Sequence, residues 1–201
     1  MTLLPILALT LAVSSPAQES PEESPGPSLE KGDIQFGIVG SFGAALDLFD
    51  GVPDAELLAV GAHAGKVLTD AGGPGLLCGR LGVDLEILPL FLVFQDSTSY
   101  GLSFTLLGQY FFEVSSRFRP FASFGAGFLY SSEEIPPDTS RVNFTPQVGI
   151  GVRVPGGKSL LYSFEFRLHH ISNADLVQPN PGVNSWMVQF RATFLKRRSK
   201  P

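Results

Sequence analysis

The sequence predicts an all-β fold, an eight-stranded antiparallel transmembrane β-barrel of the outer membrane, and three observations predict it. Apolar and polar residues alternate with period two through eight segments of roughly ten residues, the signature of strands with two unlike faces. The chain is also unusually apolar, with 22 Gly, 17 Phe and only 16% charged residues among 201, and a mean hydropathy of +0.20. Yet no run of the mature region reaches the ~18 consecutive apolar residues of a membrane helix, because Gly, Ser, Gln and charges interrupt each one. A closed barrel resolves the conflict, since it pairs every backbone polar group within hydrocarbon without any helix.

The amino-terminal end reads as an address. Leu3 to Val13 is a short apolar stretch, and Ser15-Pro16-Ala17 offers small residues where a signal peptidase inspects them. Residues 1–17 are therefore expected to be an export signal cut after Ala17, although a basic n-region is missing and a buried core segment is the competing reading. Residues 18–33, rich in Pro, Ser and Glu, are expected to form a disordered acidic tether. The barrel is expected over residues 34–195, followed by a basic tail over residues 196–201 that contains Lys196-Arg197-Arg198-Ser199-Lys200.

The first segment, about Ile34 to Ala44, sets Ile34, Phe36, Ile38 and Phe42 against Gln35, Gly37, Ser41 and Gly43. The second, about Leu57 to Val67, alternates more weakly. The third, about Leu77 to Leu88, opposes Leu81, Val83, Leu85 and Ile87 to Arg80, Gly82, Asp84 and Glu86. In the fourth, Leu102, Phe104, Leu106, Tyr110 and Phe112 face away from Ser103, Thr105 and Gln109. The fifth repeats the pattern with Ala122, Phe124, Ala126, Phe128 and Tyr130 against Ser123, Gly125 and Gly127. The sixth carries Phe144, Val148, Ile150, Val152 and Val154, with Pro146 costing a ladder donor on the same parity. The seventh carries Leu160, Tyr162, Phe164, Phe166 and Leu168, with Glu165, Arg167 and His169 on the other side. The eighth carries Trp186, Val188, Phe190, Ala192 and Phe194.

Arg80, Asp84, Glu86, Arg153, Glu165, Arg167 and Arg191 all fall on the polar parity, as a filled and charge-paired lumen requires. Tyr110, Phe112, Tyr130, Tyr162 and Trp186 lie near segment ends and suit interfacial girdles. A soluble lipocalin-like barrel would turn the oily parity inward, but its exterior would then be Gly-rich and poor in Lys. The net charge of −5 resides largely in the acidic tether, which argues against a nucleic-acid partner. Cys78 is the only cysteine, so neither an internal disulfide nor a cysteine metal site is available, and no metal or cofactor is expected.

Chemistry enters at the end of the seventh segment. His170 and Ser172 continue the oily parity, so an imidazole and a hydroxyl stand about 6.5 Å apart along a face built for lipid. Pro179-Asn180-Pro181-Gly182 is a turn, and it returns the chain so that Asn184 can approach His170 across the hairpin. Ser172 as nucleophile, His170 as base and Asn184 as the group orienting the ring would make an esterase site, with Asn180, Asn173 or nearby backbone amides as oxyanion donors. Even strand number puts both termini in the periplasm and this hairpin at the outer surface. Asp175 reads as a turn former, His169 as a hydrogen-bonding core residue, and His63 has no companion motif.

The string His170-Ile171-Ser172-Asn173-Ala174 followed by Pro179-Asn180-Pro181-Gly182-Val183-Asn184 closely resembles the signature of the PagL-like lipid A 3-O-deacylases, with the likeness sharpest over Arg167 to Gln189. The resemblance implies an integral outer-membrane serine esterase that removes the 3-linked hydroxyacyl chain from lipid A, or lipopolysaccharide, in the outer leaflet. It implies Ser172 as nucleophile, His170 as base and Asn180 as an oxyanion participant. At Asn184 the pattern departs, because characterised members carry Glu there. A non-catalytic barrel with a structural or surface-interaction role is the alternative, and a homodimer is left open.

Overall fold

The computed structural model describes residues 27–47, 51, 54–114, 117–178 and 180–197. Strands run β1 Ile34–Ala45, β2 Glu56–Val67, β3 Gly79–Phe94, β4 Thr98–Phe112, β5 Arg119–Ser131, β6 Val142–Phe144, β7 Gln147–Pro155, β8 Leu160–Ile171 and β9 Val183–Lys196. Each pairs antiparallel with its neighbours, β1 with β9 and β4 with β5 among them, so the sheet closes on itself. β6 and β7 hold a common register against β5 and are two parts of one barrel strand, so the ring has eight members. They part at Thr145 and Pro146, where proline has no N–H to give.

The oily parity faces outward. Ile34, Phe36, Ile38, Leu85, Phe104, Leu106, Phe124, Ile150, Phe164 and Phe190 are all exposed, whereas Asp84, Glu86, Arg153, Glu165, Arg167 and Arg191 are buried in the bore. That orientation excludes the lipocalin-like arrangement. The bore is filled rather than open. Arg167 grips Glu86 with two parallel bonds of 3.0 Å and reaches Glu165 at 3.0 Å; Arg191 donates to Asp84 at 2.9 Å and also to Glu86. Arg153 lies over the Phe111 ring, 4.1 Å from its centroid, and donates to Gln35 at 2.6 Å. Buried charges of this kind persist only when paired, because desolvating each alone costs several kcal/mol.

Apolar plugs close both ends of this polar belt. At the rim bearing the β8–β9 hairpin, Leu57, Phe91, Val93, Leu129, Ile171 and Val183 cluster; at the opposite rim, Leu29, Val67, Phe111, Phe121, Leu161 and Leu195 do so. Leu29 corrects the expectation of a disordered tether reaching Asp33. It is 1% exposed, Asp33 is equally buried, and Arg119 donates to the Pro27 carbonyl, so residues 27–33 fold against the barrel mouth. The export signal over residues 1–17 and the tether over residues 18–26 lie outside the described residues, as do residues 198–201 of the tail. Lys196 belongs to β9 rather than to that tail.

The third strand also differs from expectation. It begins at Gly79, after a single 3-10 turn at Gly75–Leu77, and continues to Phe94. A bulge between Leu88 and Phe91 turns both Pro89 and Leu90 outward and moves the inward parity from even to odd positions, so Phe91 and Val93 reach the apolar plug.

Candidate active site on the lipid-facing wall

The β8–β9 hairpin places the expected residues by register. His170 pairs with Asn184, and Ser172 forms an isolated bridge with Phe144, an exposed outer-wall residue. The intervening Ile171 is fully buried in the plug, which pins its neighbours outward. His170 N–H donates to the Pro146 carbonyl at 3.0 Å, and Phe144 and Ser172 exchange backbone bonds of 2.7 and 3.1 Å. The wall around the two side chains is therefore laddered on the β6–β7 side as well as on the β9 side.

His170 Nδ1 lies 2.7 Å from Asn184 Oδ1. With that oxygen as acceptor, Nδ1 carries the proton and Nε2 keeps its lone pair, the tautomer a general base needs. Ser172 Oγ, by contrast, makes no hydrogen bond to His170 among the described contacts, although both groups occupy the same face. Gly182 closes on the other edge of the ring: at φ +70°, a Cβ there would stand 2.7 Å from His170 Cε1 and 3.3 Å from Nε2. A side chain at this position would press on the Cε1–Nε2 edge of the imidazole. In the sequence Gly182 stands within the turn and the family-like string with no role of its own, and neither pattern shows what its Cα faces.

The loop above is knitted by amides. Asn180 Oδ1 accepts from the Asn173 backbone N–H at 3.1 Å, while Asn180 Nδ2 donates to Asp175 Oδ1 at 3.1 Å. Both ends of this carboxamide are thereby oriented, with one N–H of Nδ2 beyond the Asp175 contact. The Asn173 side chain is buried and bonds the Val177 backbone, so it braces the loop from within. Ala174 and Asp175 sit at φ +54° and +61°, left-handed conformations that cost L-residues on the order of 1–2 kcal/mol each. Asp175 thus has its expected turn role and an added one as the acceptor for Asn180.

Below His170, toward the membrane midplane, an apolar groove of about 710 Å³ runs across the wall, lined by Phe124, Ala126, Pro146, Val148, Leu168 and Leu46, with His170 and Asn184 at its edge. Small Ala126 and the proline opposite His170 leave the recess between larger neighbours. His169 faces the other way, into the bore, where it stacks on Phe91 at 5.9 Å. Among the described residues its Nδ1 has no hydrogen-bond partner, which corrects the expectation of a hydrogen-bonding core residue. His63, without a companion in the sequence, has two in the bore: Asp84 Oδ1 at 3.0 Å from Nδ1 and Thr193 Oγ1 at 3.0 Å from Nε2. No group of His, Cys, Asp and Glu suited to holding a metal occurs among the described residues.

A closed barrel with an oily exterior, an ion-paired bore and a hydroxyl, an imidazole and an amide on its lipid-facing wall defines an integral outer-membrane protein equipped for chemistry at the lipid surface. Residues 78–193 match the family described as lipid A 3-O-deacylase (PagL), and the chain belongs to that family of lipid A deacylases. Among solved structures it resembles the outer membrane enzyme PagL, with a TM-score of 0.57 and 21% identity over 79% of this chain and 97% of that one. Neisserial surface protein A follows the same path at a TM-score of 0.52 and 12% identity, over 81% of this chain and 95% of that one. So does OprG from Pseudomonas aeruginosa at 0.50 and 13%, over 84% and 97%. These likenesses are of fold. No curated protein sequence matches the chain.

Proposed function

We propose that this barrel is a serine-dependent esterase that hydrolyses the ester-linked 3-hydroxyacyl chain of lipid A in the outer leaflet. The observation that carries the reading is the 2.7 Å contact between His170 Nδ1 and Asn184 Oδ1, made on the lipid-facing wall at the edge of an apolar groove. Family membership supports the substrate class. An acyl chain lies in the groove, and its ester carbonyl reaches the rim beside Ser172.

In the first step Ser172 Oγ attacks the carbonyl carbon as its proton passes to His170 Nε2. The negative charge on the carbonyl oxygen is met by Asn180 Nδ2, held in place by Asp175 and the Asn173 backbone. Collapse expels the sugar 3-oxygen, which takes the proton back from His170 and leaves an acyl-serine. Water from the cell surface then attacks the acyl carbon, gives a proton to Nε2, and releases the 3-hydroxy fatty acid and Ser172. Serine and imidazole must close to hydrogen-bonding distance when substrate binds, a tightening common to sites that are loose when empty. Asn184 keeps the ring in the correct tautomer but supplies no charge to stabilise the imidazolium.

Mass spectrometry of lipid A from cells expressing the chain, Ser172→Ala or His170→Ala tests the reading. Loss of one 3-hydroxyacyl mass with the unaltered chain, and with neither variant, is the expected result. Intact lipid A beside a folded unaltered barrel would instead assign it a structural or surface-interaction role.

A further inference from the structure

At the rim opposite the candidate active site, a groove of about 510 Å³ opens between the barrel wall and the folded amino-terminal segment, lined by Lys31, Ile34, Lys66, Leu68, Lys196 and Arg197. Register explains the clustering. Ile34 on β1 pairs with Lys66 on β2 and with Lys196 on β9, so two lysines flank one isoleucine at a single height on the outward face. Their Cα atoms stand two strand spacings apart, roughly 10 Å, a span that flexible side chains close around one anion.

The other charges around the groove are largely committed. Lys31 lies 3.8 Å from Asp70, and Arg197 lies 3.4 Å from Asp33 and 3.6 Å from Glu30. Lys66 and Lys196 have no acidic partner within 4.0 Å among the described residues. Beneath them the wall is pure hydrocarbon, with Phe36 stacked on Phe194 at 6.0 Å and Ile38 above. This rim carries the chain ends of the barrel and so faces the periplasm, at the level of the inner-leaflet headgroups.

We propose that this groove binds an anionic phospholipid of the inner leaflet, with its phosphate between Lys66 and Lys196 and an acyl chain against Phe36 and Phe194. Cations alone would recruit any anion, and an oily wall alone would take any lipid. Side by side in this order, they select a diacyl lipid with a net negative headgroup. The binding is independent of the deacylase reading, since it engages the opposite rim and the opposite leaflet.

Native mass spectrometry of the full chain, released from detergent after titration with palmitoyl-oleoyl phosphatidylglycerol or palmitoyl-oleoyl phosphatidylcholine, tests the site. The phosphatidylglycerol adduct is expected to dominate, and Lys66→Gln with Lys196→Gln is expected to weaken it on the order of tenfold. Lys158→Gln, at the same rim but between β7 and β8, is the charge control and leaves the preference intact. Lys66→Arg with Lys196→Arg also retains it, which separates charge from any loss of fold. Equal binding of the two lipids, or a double Gln variant that keeps the preference, overturns the proposal. So does displacement of the lipid by inorganic phosphate at equal concentration, which would mean that the acyl wall contributes nothing. A preference that emerges only after Glu19, Glu22 and Glu23 are changed to Gln would assign the groove to the chain's own acidic segment, and overturns it as well.

Discussion

Two groupings of hydroxyl, imidazole and side-chain oxygen occur in this barrel, one on each face of its wall. Inside, Thr193 Oγ1, His63 and Asp84 are joined by contacts of 3.0 Å and 3.0 Å, with a true carboxylate behind the ring. Outside, Ser172, His170 and Asn184 have an amide in place of the acid and only one closed link. By hydrogen bonds alone the inner set is the better triad. It is also sealed: Thr193, His63 and Asp84 are almost fully buried, and Asp84 is already spent on Arg191 at 2.9 Å. Two members of the outer set, His170 and Asn184, line a 710 Å³ apolar groove on the lipid-facing wall. Connectivity among side chains is therefore a poor guide to catalysis unless a substrate can reach it, and the group types proposed for hydrolysis on one face act as cement on the other.

The largest effect that would break this contrast is on turnover. Ser172→Ala and His170→Ala are expected to lower deacylation by at least ~10³-fold, while Thr193→Ala leaves kcat within severalfold. Lipid A mass spectrometry over a time course reads all three, and a reversal of the pattern would put the chemistry in the bore.

Stability should show the opposite order. Asp84→Ala takes the carboxylate from His63 and one of two carboxylate acceptors from Arg191, which keeps Glu86, so the expected loss is about 3 kcal/mol, the low end for removing one partner of a buried ion pair. Urea unfolding of the barrel in lipid vesicles, followed by the gel shift between folded and unfolded forms, is expected to move by that amount. Ser172→Ala should leave the same curve within about 0.5 kcal/mol. If the two variants unfold alike, the bore network does not hold the barrel together.

Gly182 sharpens the comparison by acting on the outer ring alone. An alanine there adds left-handed strain and presses on Cε1 of His170, so kcat is expected to fall on the order of tenfold to a hundredfold, in line with a displacement of about an ångström at a reacting group. Urea stability should drop by no more than about 2 kcal/mol. A fall in KM with kcat unchanged would show that the ring never depended on that glycine.

The outer wall was the legible half of the molecule. Lipid leaves only one solution for a face, uninterrupted apolar parity, so Ile34 through Phe42 and Leu160 through Leu168 announce their orientation, and His170 and Ser172 inherit it. The hairpin contact to Asn184 was legible only as shared parity, because the connection over residues 172–182 is too long to fix the register by itself, and the pairing of β8 with β9 supplies it. The bore was less legible for a physical reason. Its partners come from strands distant in sequence, 21 residues from His63 to Asp84 and 130 from His63 to Thr193, and only barrel closure brings them together. Leu29 escaped notice because one apolar residue in a Pro- and Ser-rich stretch leaves no period, although a plug needs only one. Past Pro89 the bulge resets the parity by one, so a period-two reading that stops at Leu88 cannot anticipate Phe91 in the plug.

Asn184 makes the smallest expected effect and the most discriminating one. An amide in place of a triad acid costs about 10⁴ in rate when it donates to the imidazole and so fixes the wrong tautomer. Here Oδ1, not Nδ2, meets Nδ1, so the tautomer is already right and what is missing is charge opposite the imidazolium. Asn184→Glu supplies that charge from a longer side chain, at a position whose neighbours are the groove and Leu46 rather than the packed bore. The expected outcome is a gain in kcat of up to about tenfold, since a charge-assisted hydrogen bond is roughly twice as strong as a neutral one and the site is only partly shielded from water. The equivalent change in the bore, Asp84→Asn, should leave kcat untouched and weaken the fold. A gain approaching 10⁴ would mean instead that the native amide points its nitrogen at the ring, and that the tautomer, not the charge, limits this enzyme.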